Sequence, residues 1–171
     1  VDHLFSKSVF YQHLKDQSQE NLIVVSPDAG GVERARAMAK KLNTGIAIID
    51  KRRDKPNESE VLHIVGDVMG RECLIIDDMV DTGGSLVKAA KALKASGAES
   101  VSAAITHPVL SGEAISLIEK SPLAKLIVTD SIPLCEKARC CEKIVQISIA
   151  QLMGEAIKRV HNRDSVSSLF L

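Results

Sequence analysis

Residues Leu74–Leu86 read LIIDDMVDTGGSL. An apolar run ends in two carboxylates, Asp77 and Asp78. A short turn follows, then Asp81-Thr82-Gly83-Gly84-Ser85. Ser85–Ser96 is Ala- and Lys-rich with helical period, and Gly97 is its stop signal. The reading is strand, glycine-rich loop, helix. Two adjacent glycines let the backbone turn tightly and bring N–H groups close to a ligand. Those donors, together with the free N–H groups at the start of the helix, make an anion site, and Thr82 and Ser85 add hydroxyls. This is chemistry for a phosphate monoester. Carboxylates repel phosphate, so Asp77 and Asp78 need a different task. Ionised, they are acceptors only. They suit the two neighbouring hydroxyls of a ribose whose 5-phosphate lies in the loop. Taken singly, the two acids could merely end a strand and Ser85 merely cap a helix; the combination points to a sugar phosphate.

Outward from this segment, short apolar runs alternate with helical ones. Asn21–Ser26, Ile46–Ile49, Val61–Val65, Cys73–Asp77, Ser100–Ile105, Leu126–Thr129 and Ile144–Ile147 read as strands. Ser6–Asp16, Gly31–Leu42, Ser85–Ser96, Ser111–Lys120 and Ser148–His161 read as helices, the last behind a Ser cap. Apolar strands without alternation, interleaved with helices, imply an α/β fold: a parallel sheet flanked by helices on both faces. Ligands bind such sheets beyond the carboxyl ends of the strands, which directs attention to the loops after Val25, Ile49, Ile76 and Ile105. Asp50–Glu60 (DKRRDKPNESE) is charged, lacks periodicity and reads as the least ordered loop.

Two of those loops carry further chemistry. Ser26–Gly31 (SPDAGG) sits between a strand and a helix. Ala29, Gly30 and Gly31 favour an anion, and Asp28 can hold a hard cation such as Mg²⁺; the plain alternative is a tight turn with Asp28 as a turn residue. Lys51, Arg52 and Arg53 form a basic run at the same end of the sheet. Positioned Lys and Arg can neutralise the charge of a transferring phosphoryl group, although a basic run by itself is usually a solvated turn. His107 reads as a structural residue ordering its own loop.

Composition excludes other classes. Lys and Arg total 22, Asp and Glu total 22, and formal net charge is zero, so there is no basic excess for a nucleic-acid surface. Aromatics are 2%, too few for a stacking groove. No apolar run is long enough to span a bilayer and no secretory h-region opens the chain, so neither nucleic acid nor membrane is an expected partner. Cys73, Cys135, Cys140 and Cys141 lack the spacing of a metal site and read as free thiols, Cys73 a buried one. There is no GxxxxGK loop, and the chain shows no adenine site of its own. It opens with Val1 and its first methionine is Met38, which is expected of a fragment or processed product.

The DD…DTGGS segment resembles the phosphoribosyl-pyrophosphate signature of the type I phosphoribosyltransferase fold, with Ser85 where Thr is usual. Together with SPDAGGVERA, IIDKRRDKPN, THPVLSG and DSVSSLF, it resembles the phosphoribosyl pyrophosphate synthetase (ribose-phosphate diphosphokinase) family over almost the whole chain. The resemblance implies a phosphoribosyltransferase-like domain over residues 1–171, the C-terminal half of a longer synthetase, with 1–20 as a lead-in helix and 163–171 as a tail. It implies transfer of the pyrophosphoryl group of ATP to ribose 5-phosphate for nucleotide biosynthesis, with Mg²⁺, in a cytoplasmic homo-oligomer whose adenine site lies mostly outside this chain. By position, Lys51 and Arg53 match the catalytic loop, Arg53 also reaching the ribose phosphate. Asp28 matches a magnesium ligand, and Asp28, Ala29, Gly30 and Gly31 match the pyrophosphate loop. Asp77 and Asp78 match the ribose acids; Asp81, Thr82, Gly83, Gly84 and Ser85 match the 5-phosphate loop. Ser165, Val166 and Phe170 fall in a tail linked in some members to a regulatory site, with Ser168 where Tyr is usual. A phosphoribosyltransferase, or a non-catalytic regulatory relative of the synthetase, is the alternative. The chain alone is expected to turn over poorly or not at all.

Overall fold

Runs such as Ile23-Val24-Val25 and Leu74-Ile75-Ile76 are apolar at every position because the strands are covered on both faces. The computed structural model describes residues 4–15, 20–52 and 61–170, with the backbone alone at 51, 52, 61, 168 and 170. In order, the elements are α1 (Lys7–Leu14), β1 (Leu22–Ser26), α2 (Val32–Leu42), β2 (Gly45–Arg52), β3 (Val61–Val65), β4 (Glu72–Val80), α3 (Gly84–Ala95), β5 (Ser100–Pro108), α4 (Ala114–Glu119), β6 (Lys125–Thr129), α5 (Glu136–Arg139), β7 (Ile144–Ile147) and α6 (Ala150–Asn162), followed by a 3₁₀ turn, Ser167–Phe170. Among the described residues seven strands form one sheet in the order β3-β2-β1-β4-β5-β6-β7.

One face of the sheet presents Val25, Ile75, Val101 and Ile105 to α3 and α4, where Leu86, Leu93 and Ile118 fill the layer. The other presents Val24, Leu74, Ile76 and Ile127 to Phe10 and Leu14 of α1 and Met38 and Leu42 of α2. Val24, Val25, Ile75 and Leu93 are fully buried. Each such side chain contributes roughly 1.5–3 kcal/mol relative to exposure. α3 ends as its sequence directs: Gly97 takes φ +90° just past the Ser96 cap, the left-handed position that glycine fills without a Cβ penalty.

Three expectations need correction. The sheet is not wholly parallel: β3 runs antiparallel to β2, Asp50 opposite His63 and Lys51 opposite Leu62. Only residues 53–60 join the two strands, and a parallel return needs a crossover of a dozen residues or more. Asp50, Lys51 and Arg52 are therefore strand residues rather than loop, while 53–60 lie outside the described residues. Asp77 and Asp78 do not end β4. β5 continues to Pro108, and Met79 and Val80 stay paired with His107 and Pro108. Finally, the residue capping α6 is Ile149, not Ser148. Ser148 Oγ accepts the Ala150 N–H at 3.1 Å, and Asp130 Oδ1, from the end of β6, accepts the Ile149 N–H at 2.8 Å.

Candidate functional site

The order β2-β1-β4-β5 makes the junction of β1 and β4 the point where successive crossovers diverge. α2 leads from β1 to β2 on one side, and α3 leads from β4 to β5 on the other. Their loops part there and leave a crevice at the carboxyl ends of the strands. A cavity of about 270 Å³ occupies it, lined by Asp28 from the first loop, Asp77 from β4, and Asp81, Thr82, Gly83 and Ser85 from the second. The two glycine-rich segments, far apart in sequence, thus share one cavity. Ala29 and Gly30 are exposed in the first loop, and Gly84 opens α3.

Gly83 precedes α3 with φ +76°. A Cβ there would meet Ala114 at 3.6 Å, an ordinary contact. Backbone conformation, not space, is what asks for glycine. No side chain caps α3, so its first N–H groups stay available to an anion. The loop after β5 braces this cradle. The N–H groups of Leu110 and Ser111 donate to the carbonyls of Val80 and Asp81, each at 3.1 Å, and Ser111 Oγ donates to Asp81 Oδ1 at 2.5 Å. Ser111 was not legible as a site residue, since its partner lies 30 positions away.

In the first loop Asp28 Oδ1 accepts the Gly31 N–H at 2.9 Å, and buried Ser26 donates from Oγ to the Asp28 carbonyl at 2.7 Å. Asp28 is thus a turn residue, and it also contributes a carboxylate to the cavity wall. Among the described residues no three His, Cys, Asp or Glu side chains cluster as a metal cage. Mg²⁺ is commonly held by one or two carboxylates together with waters and substrate phosphates, and Asp28 in the cavity lining offers one.

Asp77 and Asp78 are joined by a residue that motif reading passed over. Arg34, from the first turn of α2, donates from Nη1 to Asp77 Oδ1 and from Nη2 to Asp78 Oδ2, each at 2.8 Å. The Asp78 N–H also donates to Asp77 Oδ1 at 2.9 Å. Burial pushes the Asp77 carboxyl above its ordinary range. The Asp78 N–H pulls it back, the Asp78 charge and side chain push it up again, and Arg34 pulls it down. Arg34 stands within the SPDAGGVERA segment, of which only Asp28–Gly31 were read as site residues. On the α1 side a second cavity, of about 290 Å³, is bounded by Phe5, Ser6, Arg34, Asp77, Asp78 and His107. There Ser6 and Thr106 hydroxyls share a hydrogen bond of 2.6 Å, and His107 Nδ1 lies 2.9 Å from Ser131 Oγ. His107 is a residue of β5 rather than of a loop, and it ties that strand to the segment after β6.

The backbone of Lys51 is placed in β2, opposite Leu62; Arg53 lies outside the described residues. In the tail, Val166 is buried and Ser165 Oγ lies 3.1 Å from Ser167 Oγ. Cys73 is buried, its thiol pushed up by burial to about 11, while Cys135 and Cys140 are exposed.

Residues 52–171 match the family model described as the phosphoribosyl synthetase-associated domain. The chain belongs to that family. This phosphoribosyl synthetase-associated chain is 56% identical over 170 residues to a ribose-phosphate pyrophosphokinase of Bordetella pertussis, a match covering 99% of this chain and 55% of that protein. Its structure superposes on a phosphoribosylpyrophosphate synthetase from Mycobacterium smegmatis with a TM-score of 0.87 at 33% identity, covering 95% of this chain and 53% of that one. A purine phosphoribosyltransferase from Pyrococcus horikoshii, 18% identical with a TM-score of 0.51 over 84% of each chain, shares the fold. The chain spans about half the length of the curated relatives it matches.

Proposed function

We propose that this chain provides the ribose 5-phosphate half of a ribose-phosphate diphosphokinase, in which the pyrophosphoryl group of ATP passes to ribose 5-phosphate, giving phosphoribosyl pyrophosphate and AMP. The observation that carries the reading is the single cavity walled by Asp28, Asp77 and the Asp81–Ser85 loop at the β1–β4 junction. The names of the relatives that match nearly the whole chain support it.

In this reading the 5-phosphate accepts N–H donors from Asp81–Ser85 and from the start of α3, with the Thr82 and Ser85 hydroxyls. Asp77 and Asp78 accept from the 2- and 3-hydroxyls, which orients the sugar. Held so, the 1-hydroxyl attacks the β-phosphorus of ATP in line and AMP leaves. Lys51 and Arg53 offset charge on the transferring group. Bound Mg²⁺, held through Asp28 and substrate oxygens, would supply charge neutralisation across the phosphates. The 1-hydroxyl proton is lost to solvent as its oxygen bonds phosphorus, and what these residues supply is positioning and electrostatics. The wider assignment is a cytoplasmic homo-oligomer whose adenine site is built mostly outside these residues.

Calorimetric titration of ribose 5-phosphate with magnesium, beside Asp78→Asn, tests the site. Saturable binding that weakens in the variant is expected; absence of binding by a folded sample sinks the assignment. ATP with ribose 5-phosphate is expected to yield little or no AMP from these 171 residues alone. Robust AMP release would overturn the division of the active site between this chain and the rest.

A further inference from the structure

We infer that Arg34 is a positioning residue that makes the site selective for a vicinal diol, so that a ribose phosphate is bound in preference to its 2-deoxy counterpart. The inference rests on the ribose reading of Asp77 and Asp78 and goes beyond it. Two adjacent carboxylates have two ways to fail as diol acceptors. Their charges repel, and burial favours the protonated form of Asp77, which would donate rather than accept. Their side chains also rotate, so that neither keeps an oxygen in a fixed place.

The Arg34 guanidinium answers the second by fixing both carboxylates, and it opposes the upward shift of Asp77 without reversing it. It is permanently charged, planar and forked, and it sets one N–H group on each acid at the same 2.8 Å. It takes Oδ1 of Asp77 and Oδ2 of Asp78. The other oxygen of each acid, Asp77 Oδ2 and Asp78 Oδ1, takes no hydrogen bond from a third described residue, the two carboxyls lying within hydrogen-bonding reach of each other. One acceptor on each of two pinned carboxylates is the complement of two neighbouring hydroxyls. Stability alone does not account for the arrangement. The Arg34 side chain is 38% exposed and that of Asp78 is 63% exposed, and pairs so exposed contribute little to folding. Arg34 is also carried by the helix that leaves the Ser26–Gly31 loop, so the two loops of the cavity and the diacid are held in one register. A sugar lacking the 2-hydroxyl gives up one hydrogen bond to a charged acceptor, which is worth more than one to a neutral acceptor.

The test is calorimetric titration of three ligands into this chain and into Arg34→Lys and Arg34→Met: ribose 5-phosphate, 2-deoxyribose 5-phosphate and inorganic phosphate. The unaltered chain is expected to prefer the ribose ester at least about tenfold. In both variants that preference should fall to within roughly threefold, because neither side chain can engage both acids at once, while affinity for inorganic phosphate stays within about threefold. Preference kept in Arg34→Met, or restored by Arg34→Lys, overturns the inference and leaves the ribose reading standing. Equal weakening of all three ligands assigns Arg34 a merely structural part and also overturns it. Failure of the unaltered chain to bind either sugar phosphate removes the ribose reading and this inference with it.

Discussion

Single residues at this site carry opposing demands of folding and binding. Asp77 is the clearest. Its folded-state pKa is raised from 3.8 by burial, so folding favours the proton. The associated stability is fully present below the ordinary Asp pKa and is lost as pH rises through the raised value. Urea unfolding from pH 3.5 to 7 should therefore show Asp77→Asn lacking a loss of stability that the unaltered chain suffers, the two converging at the acid end. A variant whose pH profile parallels the unaltered chain would remove this reading of Asp77. Gly83 makes the complementary point. With φ +76° and room for a methyl against Ala114, Gly83→Ala should cost about 1 kcal/mol through backbone strain, seen as a lower thermal midpoint without collapse of the fold. At Cys73 the thiol, raised to about 11, should resist a thiol reagent at pH 8 in the native state while exposed Cys135 and Cys140 react. How legible these residues were follows from the range of their interactions. Asp81–Ser85 could be read because loop and helix start are contiguous. Arg34 and Ser111 could not, because their partners lie 43 and 44 residues away in the first case and 30 in the second.

At the scale of elements, buried strands and long helices were legible from runs and periods, since those patterns are imposed by burial itself. What failed was whatever a neighbouring element decides. The last residues of β4 are strand only because β5 extends beside them. α5 is too short, at four residues, to show a period. The antiparallel β3 was accessible in principle from the length of its connection to β2. Its consequence is a difference in local stability. β1 pairs with β2 only as far as Ser26 and Ile48. Ile49–Arg52 therefore pair with β3 alone, and a two-stranded ribbon is marginal by itself. Leu74 and Ile75 are paired on both sides. Native-state hydrogen exchange should find the amides of Asp50–Arg52 opening well before those of Leu74 and Ile75; equal protection would show the ribbon to be braced by something further. Lys51 thus sits beyond the doubly paired part of the sheet, and so does Asp77, which pairs with β5 alone.

For the whole molecule, the division of labour implies a division of kinetic effects. If Lys51 acts only on the transferring group, Lys51→Ala in an active synthetase should lower kcat by roughly two to four decades with little change in KM for ribose 5-phosphate. A raised KM with kcat intact would make Lys51 a binding residue. The seam between β1 and β4 adds something of a different kind. Its partners, such as Val25 and Ile75, are joined through a long excursion of chain that itself must fold into α2, β2 and β3. Closing that excursion costs entropy before any contact returns it, which makes the seam a late and slow event in folding. The crevice does not exist in a partly folded chain that lacks the seam. A ligand of this crevice therefore meets a native fold or nothing, and in refolding experiments the recovery of ligand-binding capacity should follow the last phase of structure formation, trailing the recovery of helical signal.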